Sequence, residues 1–256
     1  MTLLQALLLF VAAILGGTLN AVAGGGSFFT FPALVFTNVN SVIANATSTV
    51  ALWPGSVASA GAYRRELARQ NRRLLFLLIG TSLIGGILGA ILLLKTPSTI
   101  FTTLIPYLLL AATLLFALSP YVTARLRTRA QEKTDSSRSK LIPIAFAQFV
   151  ISVYGGYFGG GIGILMLATL AFMGMDNIHE MNSVKTLLTI CINGVAVITF
   201  IIAGAVLWPQ ALLMVVGAIV GGYGGAYFAR QIAPKWVRLF VIFTGIVLTL
   251  YFFVHH

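Results

Sequence analysis

Apolar residues fill ten stretches of the chain, at about 3–23, 27–37, 41–62, 74–94, 99–123, 141–158, 161–175, 181–206, 211–229 and 236–254, with polar residues gathered in the gaps. Most approach the ~20 residues a helix needs to cross the hydrocarbon core of a bilayer. The second and seventh are short. They read either as half-helices of a broken or re-entrant element or as arms of strongly tilted helices. Residues 2–63 contain no Asp, Glu, Lys, Arg or His, and residues 186–229 repeat that absence over 44 positions. The pattern predicts an all-α, polytopic membrane protein.

The pattern also repeats. A shift of 137 residues superposes Gly26 on Gly163, Asn45 on Asn182, Gly80 on Gly217, Gly85 on Gly222 and Pro97 on Pro234, without a gap. Each match falls on the same landmark of its half: a glycine break, the helix after it, a glycine-bearing helix, a proline turn. The chain therefore reads as two duplicated helical halves, 1–123 and 141–256, joined by a basic linker at 124–140.

Composition supports the membrane class, at 59% hydrophobic and 8% charged residues. The net charge of +11 would raise nucleic acid as a partner, but 14 of the 16 basic residues lie in three short connectors, at 64–73, 125–140 and 230–238. That is the signature of positive-inside orientation, and no nucleic-acid partner is expected. If every segment crosses, or each glycine hairpin dips in and returns, the three connectors face the cytoplasm and the halves are inverted repeats. Eight helices in two parallel sets of four are the rival arrangement, which leaves Arg230, Lys235 and Arg238 on the outside. Residues 3–19 followed by Ala21-Val22-Ala23 have the outline of a cleavable leader, but residues 2–20 lack the basic start of one.

Candidate chemistry centres on the two breaks. Gly24, Gly25, Gly26 and Ser27 mark the first, and Gly159, Gly160, Gly161 and Gly163 the second. Irregular backbone in lipid is tolerated only where protein or a wet cavity covers it. Consecutive glycine amides, or the start of the helix after them, suit an anion, although small residues at such spacing also serve close helix packing. Gly85/Gly89 and Gly217/Gly221/Gly225 sit within long helices and read as packing. Asn45, Thr47 and Ser48 begin the helix after the first break, and Asn182, Ser183 and Lys185 the helix after the second. These groups either donate to an oxyanion or serve as caps and interhelical bonds.

Lys185 is the only Lys or Arg between Lys140 and Arg230, and either enters a cavity or snorkels to the nearby surface. Asp176, His179 and Glu180 are candidates for proton coupling, or members of a wet loop. Trp53-Pro54 and Trp208-Pro209 read as interface anchors and helix bends. Gln148 and Asn20 are further polar groups in apolar surroundings. Cys191 is the only cysteine, and no nucleophile–base pair, phosphate loop or metal-ligand cluster is present. No enzyme activity, metal or cofactor is expected.

GGGSFFTFPALVF followed by ANATSTVA in the first half, with GGYFGGGIGILMLATLAFMG followed by HEMNSVKT in the second, resembles the TauE/SafE family over nearly the whole chain. The resemblance implies a multi-pass transporter of the bacterial inner membrane that exports a small anion, sulfite or an organosulfonate such as sulfoacetate. An anion channel, and a small-carboxylate permease on the same scaffold, are the alternatives. Where the family has small and hydroxyl residues after each break, Ala46-Thr47-Ser48 follows the pattern and Ser183-Val184-Lys185 departs from it, as would suit a multiply charged anion. Expected partners are the anion, a coupled proton and membrane lipid.

Overall fold

A computed structural model describes the backbone of all residues except 23–24, 61–63, 132–140, 174, 176, 230–233 and 256. Side chains are also not described at 21–22, 59, 64–65, 119–131, 141, 172, 178–179, 225–229, 234–238 and 255. The described residues contain helices and no strand. The first half comprises α1 (Leu3–Val22), short α2 (Ser27–Phe36), α3 (Ser41–Ala60), five-residue α4 (Arg64–Ala68), α5 (Arg72–Lys95) and α6 (Ser98–Gln131). The second comprises α7 (Leu141–Tyr157), short α8 (Ile162–Phe172), α9 (Ile178–Ile202), α10 (Trp208–Ala229) and α11 (Pro234–His255). Two connectors differ from the sequence reading: α6 runs on to Gln131, into the basic linker, and α4 forms within the first basic connector.

Local signals set the ends. Asn40 and Asn71 each accept from the backbone amide two residues ahead, at 3.0 Å, at the starts of α3 and α5. Pro234 opens α11, a position whose amide would have no helical partner in any case. By length and composition, four helical segments among the described residues suffice to cross a membrane: Leu3–Asn20, Arg72–Lys95, Ser98–Leu118 and Glu180–Ile202. Large apolar side chains such as Phe76, Ile142 and Phe146 point outward. On a water-facing surface they would form an aggregation hazard; against lipid tails they are matched.

Packing follows the 137-residue correspondence. The glycine helix of each half lies on the first helix of the other, α10 on α1 and α5 on α7. Each short helix lies on the last helix of the other half, α8 on α6 and α2 on α11. Two pairs join a helix to its own counterpart, α3 with α9 and α6 with α11. Trp53 Nε1 donates to the Ile190 carbonyl at 3.1 Å, and these two residues are themselves 137 apart. A contact between equivalent positions marks the axis of the pseudosymmetry. Trp53 is therefore a central tie between the halves rather than the interface anchor expected of it, whereas Trp208 is exposed at the start of α10.

Helix directions follow from the residues that touch. Gly217 and Gly221 of α10 bear on Phe10 and Ile14 of α1, and Gly85 and Gly89 of α5 bear on Phe149 and Val153 of α7. Both numberings rise together, so each pair runs in one direction. Thr47 beside Leu207, with Gly55 beside Ala218, aligns α3 with α10 in the same way. Trp53 meets Ile190 and Gly194 while Thr47 meets Leu207, so α9 runs against α3.

These glycines let backbones approach closely, as small residues do between membrane helices. A Cβ on Gly85 would come within 2.8 Å of the Phe149 carbonyl oxygen, and one on Gly89 would meet that of Val153. Gly80, on the same helix, has nothing within 4 Å of that position. Gly89→Ala is accordingly expected to cost about 1–3 kcal/mol through overpacking, while Gly80→Ala is neutral or slightly stabilising. Thermal unfolding of the two variants in one detergent checks the contrast.

Candidate functional site

At the second break, α7 ends at Tyr157 and the chain turns through Gly159 (φ 76°) and Gly161 (φ 74°) before α8 begins. Only glycine adopts that left-handed backbone without strain. The Tyr154 carbonyl accepts the amides of Phe158 and Gly159, at 2.9 and 3.2 Å, and the Tyr154 hydroxyl donates to the Gly160 carbonyl at 2.6 Å. Gly160 and Gly161 turn amides toward no acceptor among the described residues. Gly163 lies in the first turn of α8. These amides carry the positive end of an 11-residue helix.

The first break is built differently. Gly26 has ordinary right-handed geometry (φ −55°) and is needed because its face lies against the Gly16 carbonyl and Leu52. Gly25 faces the Phe116 ring, Ser27 is the half-buried first residue of α2, and Gly24 lies outside the described residues.

The polar residues of α3 are largely occupied. Asn45 Nδ2 donates to the Tyr157 carbonyl at 2.9 Å, so a side chain of the first half covers a carbonyl at the break of the second. Thr47 Oγ1 accepts the Leu207 amide at 3.1 Å, and Ser48 shares a 2.6 Å hydrogen bond with Thr30 of α2. Thr30, Thr47 and Ser48 are fully buried. What remains is Asn45 Oδ1, a buried acceptor without a hydrogen-bond partner. The bond to Tyr157 fixes the amide orientation, since only Nδ2 can donate.

On α9 the balance is reversed. Ser183 donates to the Glu180 carbonyl at 2.7 Å, and Asn182 is half-buried without a hydrogen bond among the described residues. Lys185 is 5% exposed. No carboxylate or carbonyl among the described residues pairs with its ammonium. A charge so placed in a membrane helix costs about 2.5–3.5 kcal/mol on insertion scales and marks function by default. Glu180 is half-buried on the first turn of α9, Asp176 lies outside the described residues, and so does the side chain of His179.

The expected site residues therefore form two groups. Asn45 meets the second break, Thr47 the α9–α10 turn and Ser48 the short α2, while Asn182, Ser183 and Lys185 lie beyond the Trp53–Ile190 crossing. Five residues separate Ser48 from Trp53 and five separate Lys185 from Ile190, which sets the two groups ~15 Å apart along the helix axes at ~1.5 Å per residue. An open cleft of about 440 Å³ lies at the start of α3 and α6, lined by Asn38, Asn40, Ser41, Ser98, Thr102 and neighbouring residues. Ser41 hydrogen-bonds Thr102 at 2.7 Å on its wall, one helical turn before Asn45. No group of His, Cys, Asp and Glu among the described residues is arranged to hold a metal.

Sequence reasoning passed over Thr30, Tyr154 and Glu66. Thr30 sits four residues after Gly26 and Tyr154 immediately before Gly155, a proximity that could have marked them. Gln148, noted only as polar, forms a buried cluster with Ser82 (2.9 Å) and Ser152 (3.3 Å) that fastens α5 to α7.

A family model described as sulfite exporter TauE/SafE matches residues 9–252. Among curated proteins, a "Probable membrane transporter protein" of Haemophilus influenzae is 26% identical over 246 residues, spanning 94% of this chain and 92% of the relative. "Probable membrane transporter protein ORF9" of Sinorhizobium is 26% identical over 246 residues, spanning 94% and 90%. "Probable membrane transporter protein YfcA" of Escherichia coli K12 is 26% identical over 243 residues, spanning 94% and 87%. No solved structure matches significantly.

A cation on so buried a residue, without a counter-charge among the described residues, lowers stability, so its replacement by an apolar side chain of similar length separates fold from function. Lys185→Met is expected to raise the unfolding temperature in detergent, by the equivalent of about 1–3 kcal/mol. A drop in unfolding temperature would show that Lys185 supports the fold.

Proposed function

The chain belongs to the TauE/SafE family of membrane transporters, and from that premise we propose that it is a secondary transporter exporting a small oxyanion, sulfite or an organosulfonate such as sulfoacetate, across the bacterial inner membrane. The observation that carries the anion is Lys185, a cation held almost out of contact with solvent and without a protein counter-charge among the described residues. A sulfonate or sulfite oxygen supplies that charge. The free amides of Gly160 and Gly161 at the α8 N-terminus offer a second stopping point for the same anion. The cleft beside Ser41 is its mouth at the far end of α3.

In this reading the halves are inverted repeats. The exposed Arg69, Arg72 and Arg73 lie at the end of the bundle where α3 finishes and α5 begins, and in this reading that end faces the cytoplasm. Alternating access comes from one half rocking on the other about the α3–α9 crossing, with the anion passing from the Lys185 group to the Asn45 group. An inside-negative potential assists outward flow of an anion, by roughly 2.3 kcal/mol per charge per 100 mV. Neither end of the path requires a metal or cofactor.

Purified protein in liposomes is expected to give saturable flux with sulfite or sulfoacetate and exchange of labelled internal for external anion. Flux well above ~10³ per second without exchange would identify a channel instead. Lys185→Ala is expected to reduce saturable flux at least tenfold, equivalent to about 1.4 kcal/mol or more, and Asn45→Ala to reduce it less. Single cysteines at positions 129 and 235 should label from the same side of the membrane. Labelling from opposite sides would sink the inverted arrangement.

A further inference from the structure

Asn45 is 1% exposed, and its two amide atoms are treated unequally. Nδ2 donates to the Tyr157 carbonyl at 2.9 Å, which ties the side chain to the second break. Oδ1, on the same planar amide, is buried and has no hydrogen-bond partner among the described residues. Hydroxyls on the same face of α3 are engaged elsewhere. Thr49 Oγ1 donates to the Asn45 backbone carbonyl at 2.9 Å, Ser41 bonds Thr102 and Ser48 bonds Thr30. A buried acceptor in that state is costly until a donor reaches it.

The same break holds groups of the opposite need. Gly160 and Gly161 are buried, and their amides meet no acceptor among the described residues. They follow Tyr157 within one turn, which closes on the Tyr154 carbonyl and hydroxyl. The cleft at the start of α3 adjoins this turn in two ways. Ser41 on its wall and Asn45 lie one helical turn apart on one face of α3. Phe101, beside Thr102 of the cleft wall, meets the Tyr157 ring at 5.6 Å and the Phe31 ring at 6.1 Å, and Phe31 meets Phe158 at 5.8 Å.

Glycine amides attract a bare oxyanion, whereas an amide oxygen repels one and accepts only from a donor. Resting on the reading of this break as a stopping point for an anion, we propose that the anion taken there carries its own hydroxyl. Its oxyanion faces the Gly160 and Gly161 amides, and its O–H donates to Asn45 Oδ1. Asn45 is then a specificity-determining residue and not a general anion ligand. The bond to Tyr157 holds it in that role, because a flipped amide would set two acceptors face to face. An anion lacking the hydroxyl leaves Oδ1 unpaired, and a site of that kind discriminates against such an analogue. Among the anions considered above, hydrogen sulfite has a hydroxyl and fully ionised sulfoacetate has none. A hydroxyalkanesulfonate meets the same requirement with a charge that does not change near neutral pH.

The test uses the full chain in liposomes with hydroxyethanesulfonate and ethanesulfonate, probes of equal charge and similar size that differ in one hydroxyl. In the wild-type protein hydroxyethanesulfonate is expected to half-saturate at a concentration about tenfold lower. Asn45→Ala should bring the two values to within about twofold, chiefly by weakening hydroxyethanesulfonate. A merely structural role would lower both fluxes together and leave their ratio in place.

Equal half-saturation by the two probes in the wild type would overturn the proposal, whether or not Asn45→Ala folds, and would assign Oδ1 to water. A preference that survives in Asn45→Ala would overturn it as well. Both results leave the oxyanion reading standing, since the probes are still carried. Saturable flux of neither probe nor sulfite removes that reading, and this inference with it.

Discussion

A helix broken inside a membrane releases amides and carbonyls that lipid cannot satisfy, and each uncovered group costs several kcal/mol. The rest of this structure depends on how that demand is met. At the second break the cover comes partly from Tyr154 nearby, but the Tyr157 carbonyl is covered by Asn45 of the other half. Thr47 does the same for the Leu207 amide at the α9–α10 turn. The polar residues of α3 are placed where another repeat's backbone needs them. In the transport reading proposed above, two glycine amides, one amide oxygen and one lysine are left for the anion.

Positions 137 residues apart pack alike but are not chemically alike. Both breaks are written in glycine, yet one uses glycine for a left-handed turn and the other for close approach to Gly16. Both interfaces between a glycine helix and a first helix use the same four-residue spacing. One is fastened by the Ser82–Gln148–Ser152 cluster, whereas in the other Thr18 hydroxyl donates to the Gly221 carbonyl at 2.9 Å. Lys185 occupies the position equivalent to Ser48, so a neutral hydroxyl bonded to Thr30 in one half is a solitary cation in the other. The two corresponding positions therefore differ in charge.

Much of this was legible in the residues. Most helix positions and the packing role of Gly85, Gly89, Gly217 and Gly221 follow from hydropathy and spacing, because those features report local cost. The division of the candidate site was not legible. Asn45 and Asn182 occupy equivalent places, which suggests one cavity, but the antiparallel crossing of α3 and α9 carries equivalent residues to opposite sides. Sequence likeness is blind to the operation that relates two copies. Glu66 escaped for another reason: it sits among five arginines, where a carboxylate looks like ordinary surface charge, although one of its oxygens is buried.

The exchange of partners between halves bears on how the protein is made. α1 is inserted first, yet its main neighbour is α10, and Thr18 bonds a carbonyl 203 residues farther along. At roughly 5–20 residues per second of synthesis, α1 waits about 10–40 s for that surface to be made. During that interval Gly17, which in the finished fold lies against Ala218 of α10, has no partner helix to meet. A nascent first half is thus an unfinished object, and quality control at the membrane has a defined window in which to recognise it.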